Sequence, residues 1–355
     1  MGPFQISETY QNVITDGQPL LSFPNPFPAS LASARVPSQT VTGYPIDASN
    51  GKIHQYNLTI EQQFKDIGFR LSYVGSHDYG MNYGIGINKP APSLIPFTTD
   101  RRPYPQFTSA SFYRSNGEGK FNAVTVEVMR RVGQLTFDSH WTLSSSYNNY
   151  QSGSNLESPY APLFFARDQY TPRQRAVLNV VWEIPVGKGR RWMSATNPVF
   201  NGVLGGWQLY WIGYLETGHF FSPSYSGSDP SNTNQVGGLP NRLCNGNLAP
   251  DQRSVTRWFD ASCFGPPQPG TLGNSGPYVL EGPGYNNQNI SIAKTFAITE
   301  RFRFTFTASA SDAFNHPNFY LPMANISVPG SVGRISSMVD GAASRQVELR
   351  GRLQF

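Results

Sequence analysis

The chain has 355 residues and a formal net charge of +5, with 14% charged residues, 14% aromatic residues, 34 glycines and 29 prolines. Its aromatic content excludes a disordered chain, and its basic residues are scattered rather than gathered into the patch that a nucleic-acid partner would need. A helical membrane protein is excluded too: no run approaches the ~18–20 apolar residues of a spanning helix, and the longest, 176–186, is broken by Asn179, Glu183 and Pro185.

Period-two alternation recurs along the chain and marks half-buried strands. After a weak segment at 4–9, residues 53–64 place Tyr56, Leu58, Ile60 and Phe64 on one face. A turn around 66–68 then leads to Phe69, Leu71 and Tyr73. A weak segment at 109–114 precedes 121–132, where Val124, Val126 and Val128 oppose Thr125 and Glu127. A tight turn at Gly133 joins it to 134–150, with Leu135, Phe137, Trp141, Leu143 and Tyr147 opposite Thr136, Asp138, His140, Thr142 and Ser144. The pair 175–187 and 205–218 follows, its alternation blurred by Ile212 and Tyr214. Next come 288–299 and 300–314, in which Phe302, Phe304, Phe306, Ala308 and Ala310 oppose Arg301, Arg303, Thr305, Thr307 and Ser309. A weak segment at 332–338 precedes the last strand, where Val347, Leu349, Gly351, Leu353 and Phe355 face away from Gln346, Glu348, Arg350, Arg352 and Gln354.

The total is about a dozen strands, many of roughly ten residues, which fits the ~9–11 that a tilted strand needs to cross a bilayer. No convincing helix is found. Long Gly/Pro/Asn-rich stretches at 78–108, 151–172 and 222–286 alternate with short turns, the loop asymmetry of an outer-membrane barrel. The expected fold is therefore all-β: an antiparallel transmembrane β-barrel, here a partial one with long outer loops. Phe302, Phe304, Phe306, Val124, Val126 and Val128 are the lipid-facing candidates. A β-sandwich would also alternate, with its greasy faces meeting each other.

Chemistry is sparse. His54, His77, His140, His219 and His316 lie far apart and form no metal spacing. Ser291 and Lys294 match a Ser-x-x-Lys pair, but that motif works at a helix start, and on a strand the two point to opposite faces. The run from Asp229 to Asn234 has oxygen ligands but no spaced Glu, so it reads as a turn-rich loop. No catalytic residue, cofactor or metal site is expected, and no enzyme. Trp207, Trp211, Tyr147 and Tyr150 suit either interfacial girdles or core packing. Cys244 and Cys263 would form a disulfide in an oxidising compartment; the alternative is two unpaired thiols.

Six pieces, in order, resemble the β-barrel region of Oar-like TonB-dependent receptors: YNLTIEQQF with LSYVGSH, FNAVTVEVMRRV with LTFDSHWTLSSSYN, RQRAVLNVVWEIPVGKGRRW, GGWQLYWIGYLETGHFFS, NISIAKTFAITERFRFTFTASASDAFNHPNF and RQVELRGRLQF. They span nearly the whole chain, although no single piece is diagnostic. The resemblance implies a bacterial outer-membrane location, contact with outer-membrane lipid, and uptake of a bulky nutrient such as a carbohydrate or peptide. The final strand, with Val347, Leu349, Leu353 and Phe355, resembles the signal read by the barrel-assembly machinery. Whole receptors of this kind are implied to carry a leader, an N-terminal domain, a plug and about twenty-two strands. No plug, TonB-contacting box or leader is recognisable here, so 1–355 is expected to be the C-terminal portion of such a barrel, reaching the TonB complex only through a plug it lacks. A self-contained small pore or adhesin is the alternative, and a secreted carbohydrate-binding sandwich a further one.

Overall fold

The computed structural model describes residues 4–9, 14–15, 18–19, 38–150, 158–195, 197–339 and 344–355. Its frame is a 12-stranded sheet. Strand β1 (Phe4–Thr9) pairs antiparallel with β2 (Ser38–Gly43), which runs parallel to the first residues of β5 (Ser109–Arg130). Beside them runs an antiparallel meander of β3 (Lys52–Phe64), β4 (Ile67–Gly86), β5, β6 (Leu135–Asn148), β7 (Gln174–Glu183), β8 (Trp207–Glu216), β9 (Tyr285–Ala297), β10 (Arg303–Ser311) and β11 (Gln346–Gln354). Ala166–Arg167 adds a short piece beside the end of β6. Among the described residues, β3 and β11 have no neighbour on their outer sides, so the barrel is only partly closed.

Register carries the hydrophobic alternation from strand to strand, because residues directly opposite each other point to the same face. Ile60 lies opposite Leu71, Leu71 opposite Val126, Val126 opposite Trp141, Trp141 opposite Ala176 and Ala176 opposite Leu215. The row through Phe137, Val180, Trp211, Ile290, Ala310 and Val347 crosses the rest of the sheet on that same side. On the other side Glu61, Arg70, Glu127 and His140 stand in one row, and Thr59, Ser72, Thr125 and Thr142 in the next. Slipping any strand by one residue would exchange its two faces.

The apolar face has no protein layer against most of it. Leu58 is 62% exposed, Phe64 65% and Leu349 68%; the other sheets among the described residues are two-stranded. This arrangement contradicts the sandwich, whose two inner faces would cover each other. Two indoles on the apolar side are paired: the Trp211 Nε1 donates to Gln288 Oε1 at 2.8 Å, and that of Trp141 to Gln174 Oε1 at 3.3 Å.

At one end three of the four connections between meander strands are short. Lys65 (φ 53°) and Asp66 close the β3–β4 hairpin, Gly133 (φ 87°) sits in the 131–134 turn, and Phe302 O accepts from Ile298 N and Thr299 N between β9 and β10. At the other end 87–108, 149–173, 217–284 and 312–345 are all long. The buried core belongs to this end. Phe221, Phe259, Cys263, Phe264 and Leu280 pack together, with Leu321, Ile326 and Val332 against them.

Several expectations need correction. The loop expected from residue 78 starts at 87, because β4 runs for 20 residues, and 109–114 is the opening of a 22-residue β5 rather than a separate strand. Residues 332–338 form no strand: Gly333 has φ 76° and Val332 packs against the loop core, leaving one bridge between Phe319 and Met338. Phe302 and Arg301 sit in the turn before β10. Residues 151–157 of the expected 151–172 loop lie outside the described residues. A helix does exist, α1 (Pro198–Leu204): Asn197 accepts from Phe200 N at 3.0 Å and Pro198 sets the first turn, both helix-start features.

A core made by loops predicts a separable stability. Leu280→Ala, at a side chain with 0% exposure, is expected to cost the cap ~2–5 kcal/mol. Proteolysis of 217–284 should quicken while the strand circular dichroism holds.

Candidate functional site

The candidate site is the capped end of the sheet together with its polar face. Irregular chain holds a shape here because its backbone groups are taken up one by one. Arg101 is a hub: its guanidinium donates to Ala91 O at 3.0 Å, Ser93 Oγ at 2.7 Å, Asn232 O at 2.9 Å and Ile95 O. Asn232 returns a bond from Nδ2 to Ser93 O at 2.8 Å, so 87–108 is tied to 217–284. Asp229, the head of the run weighed for calcium, accepts from Ser231 Oγ (2.7 Å), Thr233 N (3.3 Å), Asn234 N (2.7 Å) and Gln235 N (3.2 Å). Its carboxylate is consumed by a turn, and among the described residues no three or more His, Cys, Asp or Glu side chains come together.

Cys244 and Cys263 are joined as a disulfide, and Cys263 is part of the loop core. On the chain-entropy model such a loop contributes roughly 3 kcal/mol. Asn318, 1% exposed, clamps the cap to the sheet: its Oδ1 accepts from Asn286 N at 2.7 Å and its Nδ2 donates to Asn286 O at 2.9 Å. Trp258 Nε1 donates to Glu281 O at 2.9 Å.

Two crevices open at the cap. One, of ≈ 480 Å³, is lined by Tyr147, Phe165, Arg167, Phe220, Arg242 and Glu281 among others. The Arg167 guanidinium lies 4.9 Å from the Tyr147 ring centre and 4.7 Å from that of Phe220, in cation–π reach. Arg173 pairs with Glu281 at 2.6 Å. The other crevice, of ≈ 500 Å³, opens under the cap's edge on the apolar side of the sheet and not on its polar face, between Trp141, Ala176 and Leu215 of the wall and Trp258, His316 and Phe319 of the cap. Aromatic faces beside amides and charges suit the capture of sugars or peptides.

The polar face below the cap carries Arg70 between Glu61 (2.6 Å) and Glu127 (2.8 Å), with Thr125 and Thr142 hydroxyls 2.9 Å apart. Asp78 lies in the face's upper part, where its carboxylate accepts from the Tyr150 hydroxyl at 3.0 Å. Burial, and then that carboxylate, pushes the Tyr150 hydroxyl up to about 12. A Cβ at Gly117 would lie 2.7 Å from Tyr150 Cβ, so glycine makes the room.

Val124, Val126 and Val128 lie on the apolar face of β5, and Phe304 and Phe306 on that of β10. Val347, Leu349 and Leu353 lie opposite Ala310, Ala308 and Phe304, which brings the terminal strand and the phenylalanine strand together. The rings of Phe355 and Phe302 are tilted by 35° with centres 6.5 Å apart. His140 is on the polar face opposite Glu127. Ser291 pairs with Ser309 on the polar side and Lys294 with Phe306 on the apolar side, so the Ser-x-x-Lys match is split. Of the girdle candidates, Trp207 and Tyr147 stand at opposite ends of the apolar face, Trp211 is mid-strand and Tyr150 turns to the polar side. Sequence reading missed Arg101, Asn318 and Arg167, since hubs between distant loops leave no local pattern.

His219 ties the cap to the sheet rim, its Nε2 3.1 Å from Glu216 Oε1. The hydrogen bond to Glu216 raises the His219 pKa above its ordinary value. A raised histidine stabilises fully below its unfolded value near 6.5 and loses that contribution as pH climbs through the folded value. Side-chain exposure of 38% limits the effect to at most about 1 kcal/mol. Urea unfolding should therefore show the wild-type cap more stable at pH 6 than at pH 9, and His219→Gln should remove that difference.

Comparison with known proteins follows this geometry. The model of the outer membrane beta barrel domain family matches residues 1–348. Similar solved structures include the outer membrane transporter YddB from Escherichia coli, at 8% identity and TM-score 0.45, covering 89% of this chain and 34% of that one. The ferric-catecholate import receptor Fiu from E. coli (10%, TM-score 0.40, 87% and 28%) and the FrpB iron transporter from Neisseria meningitidis (10%, 0.40, 89% and 33%) are similar too. The chain thus spans about a third of the length of these structures. No curated protein matches. The chain belongs to the outer membrane beta barrel domain family and is a protein of the bacterial outer membrane.

Proposed function

We propose that this chain forms part of the barrel wall and the ligand-capturing outer loops of an Oar-like TonB-dependent receptor that takes up a bulky nutrient, a carbohydrate or a peptide. One observation carries the reading: a single-layer sheet with an uncovered apolar face, a charged and hydroxylated opposite face, and an ordered aromatic cap at the long-loop end. Lipid covers the first, water the second, and the ligand meets the third.

In this reading Phe302, Phe304, Phe306, Val124, Val126 and Val128 contact acyl chains, and the outer edges of β3 and β11 pair with strands from the rest of the receptor. The barrel-assembly machinery recognises β11 through Val347, Leu349, Leu353 and Phe355, since an open edge with an aromatic end suits strand addition. The TonB complex acts through a plug carried elsewhere in the receptor. The chain itself performs no chemistry.

Two experiments test this. An in-frame plug encoded immediately upstream of Met1 supports the receptor reading, whereas a stop codon there together with partner-free conductance in a planar bilayer supports a small pore. For the wall, Leu71→Arg is expected to lower folding stability in bilayers by ~2–4 kcal/mol. Ser72→Arg, on the polar face beside it, should cost much less. Equal costs would contradict the assignment.

A further inference from the structure

One connection at the turn end is not short. Residues 184–206 join β7 to β8 and contain α1, whose Val199, Phe200, Val203 and Leu204 are 75%, 57%, 62% and 42% exposed. Spacings of one, four and five residues put them on one helical stripe. Seven residues do not hold a helix by themselves, and this one is pinned. Asn197 caps its start, Trp207 Nε1 donates to Val203 O at 3.0 Å, and Lys294 Nζ donates to Gly202 O at 2.6 Å and Gly205 O at 2.5 Å.

These pins say which side of the wall the helix occupies. Lys294 lies opposite Phe306 in the register, and Phe296, two residues on, lies opposite Phe304. Its ammonium sits 5.6 Å from the Trp207 ring centre and 4.9 Å from that of Phe296. The helix therefore rests on the apolar face, buries Lys294 there, and turns its own apolar stripe outward.

The rest of the connection is basic. Trp192 N donates to Pro185 O at 2.9 Å and Gly187 N to Trp192 O at 3.0 Å, closing a small loop that presents Lys188, Arg190 and Arg191, all exposed. Lys188 N donates to Asn201 Oδ1 at 2.7 Å, so loop and helix move as one unit. Residues 184–206 contain no Asp or Glu; among the described residues only Arg190 of the three forms an ion pair, with Glu183 at 3.5 Å. An outward apolar stripe, an exposed Trp192 and three cations at one level match the surface of a leaflet, whose headgroups are anionic and whose boundary favours aromatic rings.

We propose that 184–206 is an interfacial anchor that inserts α1 among the headgroups of the leaflet at the turn end and binds anionic phospholipid through Lys188, Arg190 and Arg191. The proposal rests on the lipid-facing reading of the apolar face, with which the anchor is continuous.

The test uses the full chain in vesicles of phosphatidylethanolamine and phosphatidylglycerol containing lipid with a nitroxide near the headgroup. The native cysteines are joined, so single Val199→Cys, Leu349→Cys and Asp251→Cys variants each take one fluorophore. Quenching several-fold stronger at 199 and 349 than at 251, in the cap, is expected. Quenching at 349 without quenching at 199 overturns the anchor alone; none at 349 overturns the wall reading along with it. Native mass spectrometry addresses the headgroup. A K188Q/R190Q/R191Q variant should retain several-fold less phosphatidylglycerol than the parent, with retained phosphatidylcholine unchanged. Undiminished phosphatidylglycerol overturns the anionic site.

Discussion

One constraint governs this molecule: a single sheet layer puts its large hydrophobic side chains on one face, and among the described residues no second protein layer covers most of that face. In water such a surface would be a severe liability, because contiguous apolar patches of this extent drive association. In the outer membrane it becomes the reason for the fold. Each meander strand reaches 9 residues or more, and each continues its neighbour's pattern without a register error that would send Arg70 or Glu127 outward. With no water at membrane depth, backbone groups must be satisfied within a helix or by an inter-strand ladder, and the period-two alternation selects the ladder.

The same constraint moves the hydrophobic core. A sheet that gives one face to lipid and the other to water cannot bury side chains against itself, so Phe221, Phe259, Phe264 and Leu280 assemble in the loops instead. Those loops are long, poor in periodic structure and rich in Gly and Pro, yet they are fixed by particular bonds: the Arg101 hub, the Asp229 turn, the Asn318 clamp and the Cys244–Cys263 disulfide. In the proposed receptor reading, a cap tied by these bonds, with a crevice of ≈ 480 Å³, limits the ordering cost that a mobile loop would meet on binding.

What could be read from the sequence follows the same division. Where alternate residues meet opposite surroundings the pattern is local, so the face of Phe69, Leu71 and Tyr73 and the face of Val124, Val126 and Val128 were each legible in the sequence, while the rows joining them came only with the register. Where Gly, Ser and Asn dilute the alternation, as in 76–86, the extent of β4 was not legible, and Val332 alternated well enough to mimic a strand while serving the loop core. The cap was readable as a long loop but not as a packed body, because its contacts join residues such as Arg101 and Asn232 that share no periodicity. Helix α1 went unread, because seven residues are too few for a 3.6-residue period to stand out.

The most direct measurement is a spin-label scan of β3 from 57 to 64 in bilayers, recording relaxation by oxygen and by a water-soluble nickel chelate. The account predicts a period of two, with oxygen dominant at 58, 60, 62 and 64 and nickel dominant at 57, 59, 61 and 63. Uniform nickel access along the strand, or a profile with no alternation, would contradict it.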